Sequence, residues 1–448
     1  MESMRSSDVL RMVPPHPSPS PERDVQPEWS PARRVLFRFA FAYLVIYNFP
    51  FPLDFIGLIP HAEVIVQPYS DLWNALVPWV GKHLFHVAIT VQPNGSGDTT
   101  YNYVQVFCFL AFAVIATLVW TILDRKRRNY SRLYEWLRIY VRFSLATAMI
   151  SYGGSKVIKS QFPSPPIGRL LQPFGDASPM GLLWTFMGAS TAYTVFAGAS
   201  EMIGGLLLTV RRTALLGALV TIGVMGNVVM LNFSYDVPVK LYSAHLLAMA
   251  FFLIAPDVRR LVNFFVLNRN AEPAPIQPLF QRSWLHRGAL VIRTVFVAGC
   301  VVLALYQAFS SRNKYGDGAP KSPLRGIWSV EELETDGRAR PPVLTDETRW
   351  RRVVFDYPGN LSIQLMNDSR LRYNLNLDVA KGAMVLIKRD DPNAKFSFAL
   401  QQPAPDVMTL QGVLEGHKIR ARLRRHEAQS FRLTSRGFHW INEYPFNR

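Results

Sequence analysis

The chain has 448 residues, enough for more than one domain, and carries a formal net charge of +17. It is 49% apolar and 12% aromatic, and the apolar residues gather into blocks of about 20, the length of a bilayer-spanning helix. With the cations concentrated between those blocks, the pattern excludes a soluble nucleic-acid binder. The two cysteines exclude a disulfide framework.

Residues 1–32, with "PPHPSPSPERDVQPEWSP", are rich in Pro and Ser and lack a period, so they are expected to form a disordered cytoplasmic tail. No apolar core of a secretory signal stands near the start. Seven spans are expected near 35–58, 103–123, 139–158, 184–210, 213–232, 240–256 and 288–309, the short sixth borrowing a turn from its flanks. Arg33, Arg34 and Arg38 stand at the first span and "DRKRRNYSRLYEWLR" (124–138) follows the second. Arg211 and Arg212 follow the fourth, and Arg259 and Arg260 the sixth. Loops 61–102 and 233–239 hold almost no Lys or Arg, so the alternation puts the N-terminus in the cytoplasm and the end of the chain outside.

This divides the chain into two spans with an extracytoplasmic loop (33–137), a four-helix bundle (138–256), a cytoplasmic linker (257–287), a seventh span (288–309) and an extracytoplasmic domain (322–448). Within the first loop, Trp73, Leu76, Val77, Val80 and Leu84 recur at helical spacing and predict an interfacial helix. "NGSGDTT" (94–100) is turn chemistry, expected to cap the bundle mouth; no Lys follows its glycines as a phosphate loop requires. Cys108 and Cys300 both fall inside spans and read as small buried hydrophobes, with a redox pair as the alternative.

From about 322 the period changes to alternation. "GIWSVEEL", "RRVVFDY", "LSIQL", "RYNLNLD", "MVLIKRD", "KFSFALQ", "VMTLQGVLEG", "HKIRARLRRH" and "SFRLTSRGFHWI" give about nine strands, which most simply close into a barrel. Gly326 and Trp328 on the first of them resemble the opening strand of lipocalin-like barrels.

The residue hardest to reconcile with lipid is Glu201, in "AGASEMIGGLLL" (197–208). A charge at the bilayer centre costs about 2.5–3.5 kcal/mol on insertion scales, so Glu201 is expected to face the bundle interior. Gly204 and Gly205 then let a neighbouring helix approach closely. Lys156 is the expected partner of Glu201, with Tyr152 and Lys159 on the same stretch, "SYGGSKVIKSQFPSPP". Asn227, Asn232, Asp236, Lys240 and His245 are further candidates for ligand binding. Lys156 and Lys240 either snorkel to the outer headgroups or pair across the bundle, and Asp236 and Lys240 either pair with each other or join the site. His245, with no second His nearby, reads as a hydrogen-bonded packing residue rather than a metal ligand.

The sequence "YGGSKV" ending one helix, followed by "ASEMIGGLLLTVRRTALLGAL", resembles the DoxX family of four-helix membrane proteins over about residues 138–256. The matching features are Glu201, Gly204, Gly205, a Leu run, the Arg211–Arg212 turn and an Ala/Leu-rich next helix. The two preceding spans, the seventh span and the β-domain depart from that family. The resemblance implies a redox-associated subunit with a quinone as the lipid-soluble ligand and a redox partner protein, and no nucleic-acid partner is expected. A weaker similarity is to the membrane part of vitamin K-dependent carboxylase-like proteins, in which a lysine serves as a base. Two other classes stay open: a transporter or lipid-binding protein using Glu201 as a proton or cation site, and a non-catalytic scaffold. The expected setting is a bacterial inner membrane.

Overall fold

The computed structural model describes residues 28–53, 63–91, 94–273, 282–426 and 431–447. Most of the expected N-terminal tail and part of the 257–287 linker therefore lie outside the described residues. The chain divides into two units, residues 1–50 with 106–138 and residues 51–105 with 139–448.

In the first unit, helix α1 (Pro31–Asn48) starts behind Ser30, whose side chain accepts a hydrogen bond from Arg33 N. Its end corrects the expected span of 35–58. Pro50 and Pro52 follow Asn48, and a proline both lacks the N–H and disfavours helix in the residue before it. Helix α3 (Thr100–Leu123) supplies the rest of this unit together with the start of α4 (Ser131–Val157). Arg38 is buried here, its guanidinium donating to Tyr130 Oη, Thr121 Oγ1 and the Asp124 carbonyl at 2.8–3.0 Å. Trp29, Phe37 and Trp120 pack around Tyr130.

The second unit begins with α2 (Glu63–Leu84), which is helical as the spacing predicts; its Trp73 and Val77 are buried in the protein, while Leu84 is exposed. In the turn after it Asp98 accepts from the backbone N–H of Lys240 and Leu241, at 2.7 and 2.9 Å, where α9 (Lys240–Ile254) begins, so this turn ends on one helix terminus. The expected fourth span, 184–210, is two helices rather than one: α6 (Pro179–Ala189) and α7 (Thr191–Thr209) break at Ser190. Ser190 leaves the helical conformation and caps α7 through Tyr193 N, while the Thr194 hydroxyl holds the Met187 carbonyl. Before the break, the loop after α4 holds the short helix α5 (Ile167–Leu170).

Helix α8 (Ala214–Ser234) follows, then α9, which runs through a tight turn into α10 (Val258–Phe265), supplying the extra turn that the sixth span needed. Helix α11 (Ser283–Tyr315) leads out to the β-domain. Among the described residues, five helical segments are long and apolar enough to cross a membrane: Thr100–Leu123, Thr191–Thr209, Ala214–Ser234, Lys240–Phe265 and Ser283–Tyr315. Helices α1 and α4, which cover the first and third expected spans, carry three and five charged side chains respectively and fall outside that set.

The β-domain is a closed antiparallel barrel. Its strands are β1 (Gly326–Thr335), β3 (Trp350–Phe355), β4 (Asn360–Leu365), β5 (Arg370–Asp378), β6 (Ala383–Lys388), β7 (Lys395–Ala404), β8 (Val407–Leu414) and β9 (His417–His426). Each pairs with the next, and β9 returns to pair with β1 from Ile327↔His426 to Thr335↔Ile419. The two-residue β2 (Arg338–Ala339) is a flap on the end of β1. Inward residues fill the lumen, with Trp328, Phe355, Ile363, Leu386, Leu410 and Leu423 all fully buried, so the barrel is a packed core rather than a ligand cup. Trp328 donates its indole N–H to the Leu324 carbonyl at 3.0 Å. The segment 430–441 corrects the strand expectation: its described part holds the four-residue helix α12 (Arg432–Ser435) and no strand. Closure explains this, because β1 and β9 already satisfy each other and leave no edge to extend.

Candidate functional site

Helix α7 buries Thr194, Gly198, Glu201, Gly205 and Leu208 at three- and four-residue spacing, and the middle three of these face one neighbour. That neighbour is α4. A Cβ on Gly198 would lie 2.6 Å from the Gly153 carbonyl oxygen, and one on Gly153 would lie 2.6 Å from the Gly198 carbonyl oxygen. The two backbones therefore touch, as small residues allow in membrane interfaces. Gly205 meets α4 again at Ala146, and Gly204 faces Thr221 of α8.

Beside this crossing Lys156 Nζ stands 2.8 Å from Glu201 Oε2, and both side chains are buried. The ammonium also lies 5.7 Å from the ring of Tyr152 and 6.0 Å from that of Phe162, where ring quadrupoles favour a cation. Tyr152, one turn earlier on α4, is two-fifths exposed and lies 5.9 Å from the Tyr242 ring of α9. The pair is thus sealed by helix contact on one side and flanked on the other by tyrosines at the bundle surface.

The remaining candidates do not gather there. Asn227 is exposed on α8, which corrects its assignment to the site. Asn232 is buried and spends its amide on Ser243 Oγ at 3.0 Å, joining α8 to α9. Asp236 and Lys240 form their own ion pair at 2.8 Å, with Lys240 Nζ also 3.9 Å from Asp98. His245 is partly buried and bonds through Nδ1 to the Leu241 carbonyl one turn back, at 2.6 Å. Cys108 and Cys300 are free, buried thiols, Cys300 facing the Thr147 hydroxyl at 3.8 Å. Among the described residues no group of three or more His, Cys, Asp or Glu side chains could hold a metal ion.

No family model matches the chain, and no solved structure matches it. The uncharacterized protein YwoB of Bacillus subtilis (strain 168) is 32% identical over 126 residues, a stretch that makes up 79% of YwoB and 28% of this chain. The chain belongs to the YwoB family. More than two thirds of it lies outside the stretch shared with YwoB.

Sequence reasoning about this YwoB-family chain missed the contacts that join the elements around the pair. Gly153 and Gly198 make the crossing, and their signal was present: Gly198 precedes Glu201 by one turn, on the same face. Lys159 bridges Ser164, Thr191 and Asp317, tying the end of α4 to the start of α7 and to the chain leaving α11. Ser164 completes that knot by donating to Asp317 from both its backbone N–H and its hydroxyl. Further along the same loop, the Gly168 peptide is clamped by the barrel: its N–H donates to Asp356 Oδ2 at 3.1 Å and its carbonyl accepts from Arg370. Ile167 packs with Ile327 and Val354 on the barrel's outer wall. Ser164 and Asp317, Gly168 and Asp356, and Gly168 and Arg370 are 153, 188 and 202 residues apart in sequence, beyond any local pattern.

Proposed function

We propose that the chain is a bacterial inner-membrane protein of DoxX-like type, with seven spans, a cytoplasmic N-terminus and an extracytoplasmic barrel. In this reading its 138–256 bundle takes up a quinone or similar lipid-soluble molecule beside Lys156 and Glu201, in the service of a redox partner protein. The observation that carries the reading is the buried ion pair inside an apolar bundle, with Tyr152 and Tyr242 in contact beside it. Intramembrane ionisable residues mark proton and substrate paths. The donor set fits a quinone: flat rings to stack on, an ammonium to receive a carbonyl oxygen, and a carboxylate to hold a proton. A bound quinone supplies two-electron chemistry in which its oxygens take up protons. Toward it Tyr152 binds the ring, Lys156 orients the oxygen, Glu201 carries the proton at a carboxylate oxygen, and the Gly153–Gly198 contact excludes water.

A second reading, a non-catalytic lock, is favoured by one observation: Lys156 and Glu201 satisfy each other at the point where the two backbones touch. There the pair fixes how α4 and α7 cross, a register role that buried polar groups take in some systems. The test uses the full chain purified into lipid nanodiscs, examined by native mass spectrometry for a co-purified ligand and titrated with a short-chain quinone. The quinone reading expects saturable binding that weakens by about tenfold or more in Tyr152→Ala and Glu201→Gln. Absence of saturable binding to the intact protein overturns it and leaves the lock.

A further inference from the structure

The barrel's strands present mostly polar side chains outward, among them Arg370, Arg372 and Asn374 on β5 and Lys418, Arg420 and Arg422 on β9. Beyond β9 the surface chemistry changes. In the described segment 431–447, Phe438 is 81% exposed, Trp440 88%, Ile441 78% and Tyr444 82%. The segment is locally organised, not a loose end. Arg436 stacks 3.8 Å over the Phe446 ring and donates to Asn442, and Phe438 meets Trp440 edge-on at 5.3 Å. These contacts group the aromatics without covering them.

Where the segment starts decides what it faces. Strand β9 ends at His426 opposite Ile327, the second residue of β1, so the chain leaves the barrel at the end where it entered. Phe431 then packs on Ile327 and Val354 together with Ile167, which lies in the loop just beyond α4. The segment therefore begins at the end of the barrel that the membrane helices hold. Nine residues separate Phe431 from Trp440, a reach of up to about 30 Å.

We propose that residues 431–447 lie in the headgroup layer of the bilayer, with Trp440 and Tyr444 as interfacial anchors that hold the base of the barrel against the membrane. The inference rests on the reading that the helices span a bilayer. Trp and Tyr are the side chains that collect at membrane–water boundaries, where an apolar ring enters the acyl edge and its polar edge stays wet. Arg432 and Arg436 supply the cations that anionic headgroups attract. A water-exposed cluster of this apolar character would otherwise be a site of aggregation.

The test is spin-label accessibility in the full chain, with Cys108→Ala and Cys300→Ala as background, in vesicles of mixed phosphatidylcholine and phosphatidylglycerol. Single labels are placed by Trp440→Cys, by Val302→Cys on the apolar face of α11, and by Asp390→Cys on the β6–β7 turn at the opposite mouth of the barrel. The ratio of collision with oxygen to collision with a water-soluble nickel chelate is expected to be about tenfold higher at 440 than at 390, because oxygen concentrates where water is excluded. An aqueous ratio at 440 with a lipidic ratio at 302 overturns the anchor alone. An aqueous ratio at 302 as well overturns the membrane reading beneath it. Protection from both reagents at 440 means protein cover, from a second copy or a partner, and also overturns the proposal. Should the labelled variants fold poorly, quenching by brominated lipid, compared between the natural protein and Trp440→Phe, reads the same contact: the proposal expects the quenched fraction to fall, and no difference refutes it.

Discussion

Lys156→Met removes an ammonium that lies 2.8 Å from Glu201 Oε2 and leaves a carboxylate with almost no access to solvent. At that separation and an effective dielectric of 20 the attraction is about 6 kcal/mol. The dehydration of both ions offsets much of this, so the net value of the pair is small although breaking it is costly. Losing one partner of a buried pair costs about 3–5 kcal/mol, because the other is stranded. Glu201→Leu strands the ammonium and should cost a similar amount. Lys156→Met combined with Glu201→Leu strands nothing, fills similar volume, and should fold within about 1–2 kcal/mol of the natural protein. Glu201→Gln is a milder cut than either single, since the amide oxygen still accepts from Lys156, but it too leaves the positive charge uncompensated. The assay is reversible unfolding in lipid by steric trapping, on the natural protein and the four variants, with quinone titration alongside. Single variants within about 0.5 kcal/mol of the natural protein would refute the reasoning, since the pair would then be hydrated. A stable double variant that has lost ligand binding separates the site from the lock.

Gly198→Val puts a branched side chain where a Cβ alone would be 2.6 Å from the Gly153 carbonyl oxygen, whereas the same change at Gly223 meets nothing within 4 Å. The first should destabilise the bundle by about 1–3 kcal/mol or more and the second by much less, measured in the same unfolding assay. In the barrel, Arg340 holds the Asp346 carboxyl down at about 2, from an ordinary 3.8. The stabilisation is therefore full above about pH 4 and lost as pH falls through about 2, and after allowance for solvent screening it amounts to about 1 kcal/mol. Asp346→Asn should lower barrel stability at neutral pH, and the gap from the natural protein should close toward pH 2 in thermal melts followed by near-ultraviolet circular dichroism. A reporter fused after Arg448 should be active only outside the cytoplasm, and one placed after Arg127 only inside; the reverse would mean a miscounted span. Replacing Cys108 and Cys300 together by Ala should leave quinone titration unchanged, because each thiol packs as a small hydrophobe.

What the sequence made legible depended on whether a residue's partner was local. Glu201 stood out because a carboxylate in an apolar run has few ways to be satisfied, and Lys156 was within one connection of it. The strands from Gly326 to His426 were legible because alternation reflects one wet and one dry face. The same alternation misled at 430–441, since pattern shows what could pair but not whether an edge is free. The break at Ser190 was hidden because Ser and Thr end a helix with their own side chains and need no polar loop. Asn227 and Asn232 were legible as standing on different faces, since they lie five apart on a helix, but not which of them faces inward; it is Asn232. Asp98, the cap of α9, stands 142 positions from Lys240 and gave no sign of its role.

Parity is the consequential property of the barrel. Eight strands that alternate in direction must bring the chain back to the mouth it entered by, which is why His426 ends beside Ile327. The domain is therefore a cassette, inserted between α11 and the aromatic segment without separating them. Excising Gly326–His426 and joining the cut ends with a short turn would rejoin the flanks across a small gap, at the cost of the packing of Phe431 and Ile167 on Ile327 and Val354. Any variation placed in the turns at its opposite mouth, such as Glu415–Gly416, is presented away from the end at which the helices hold it.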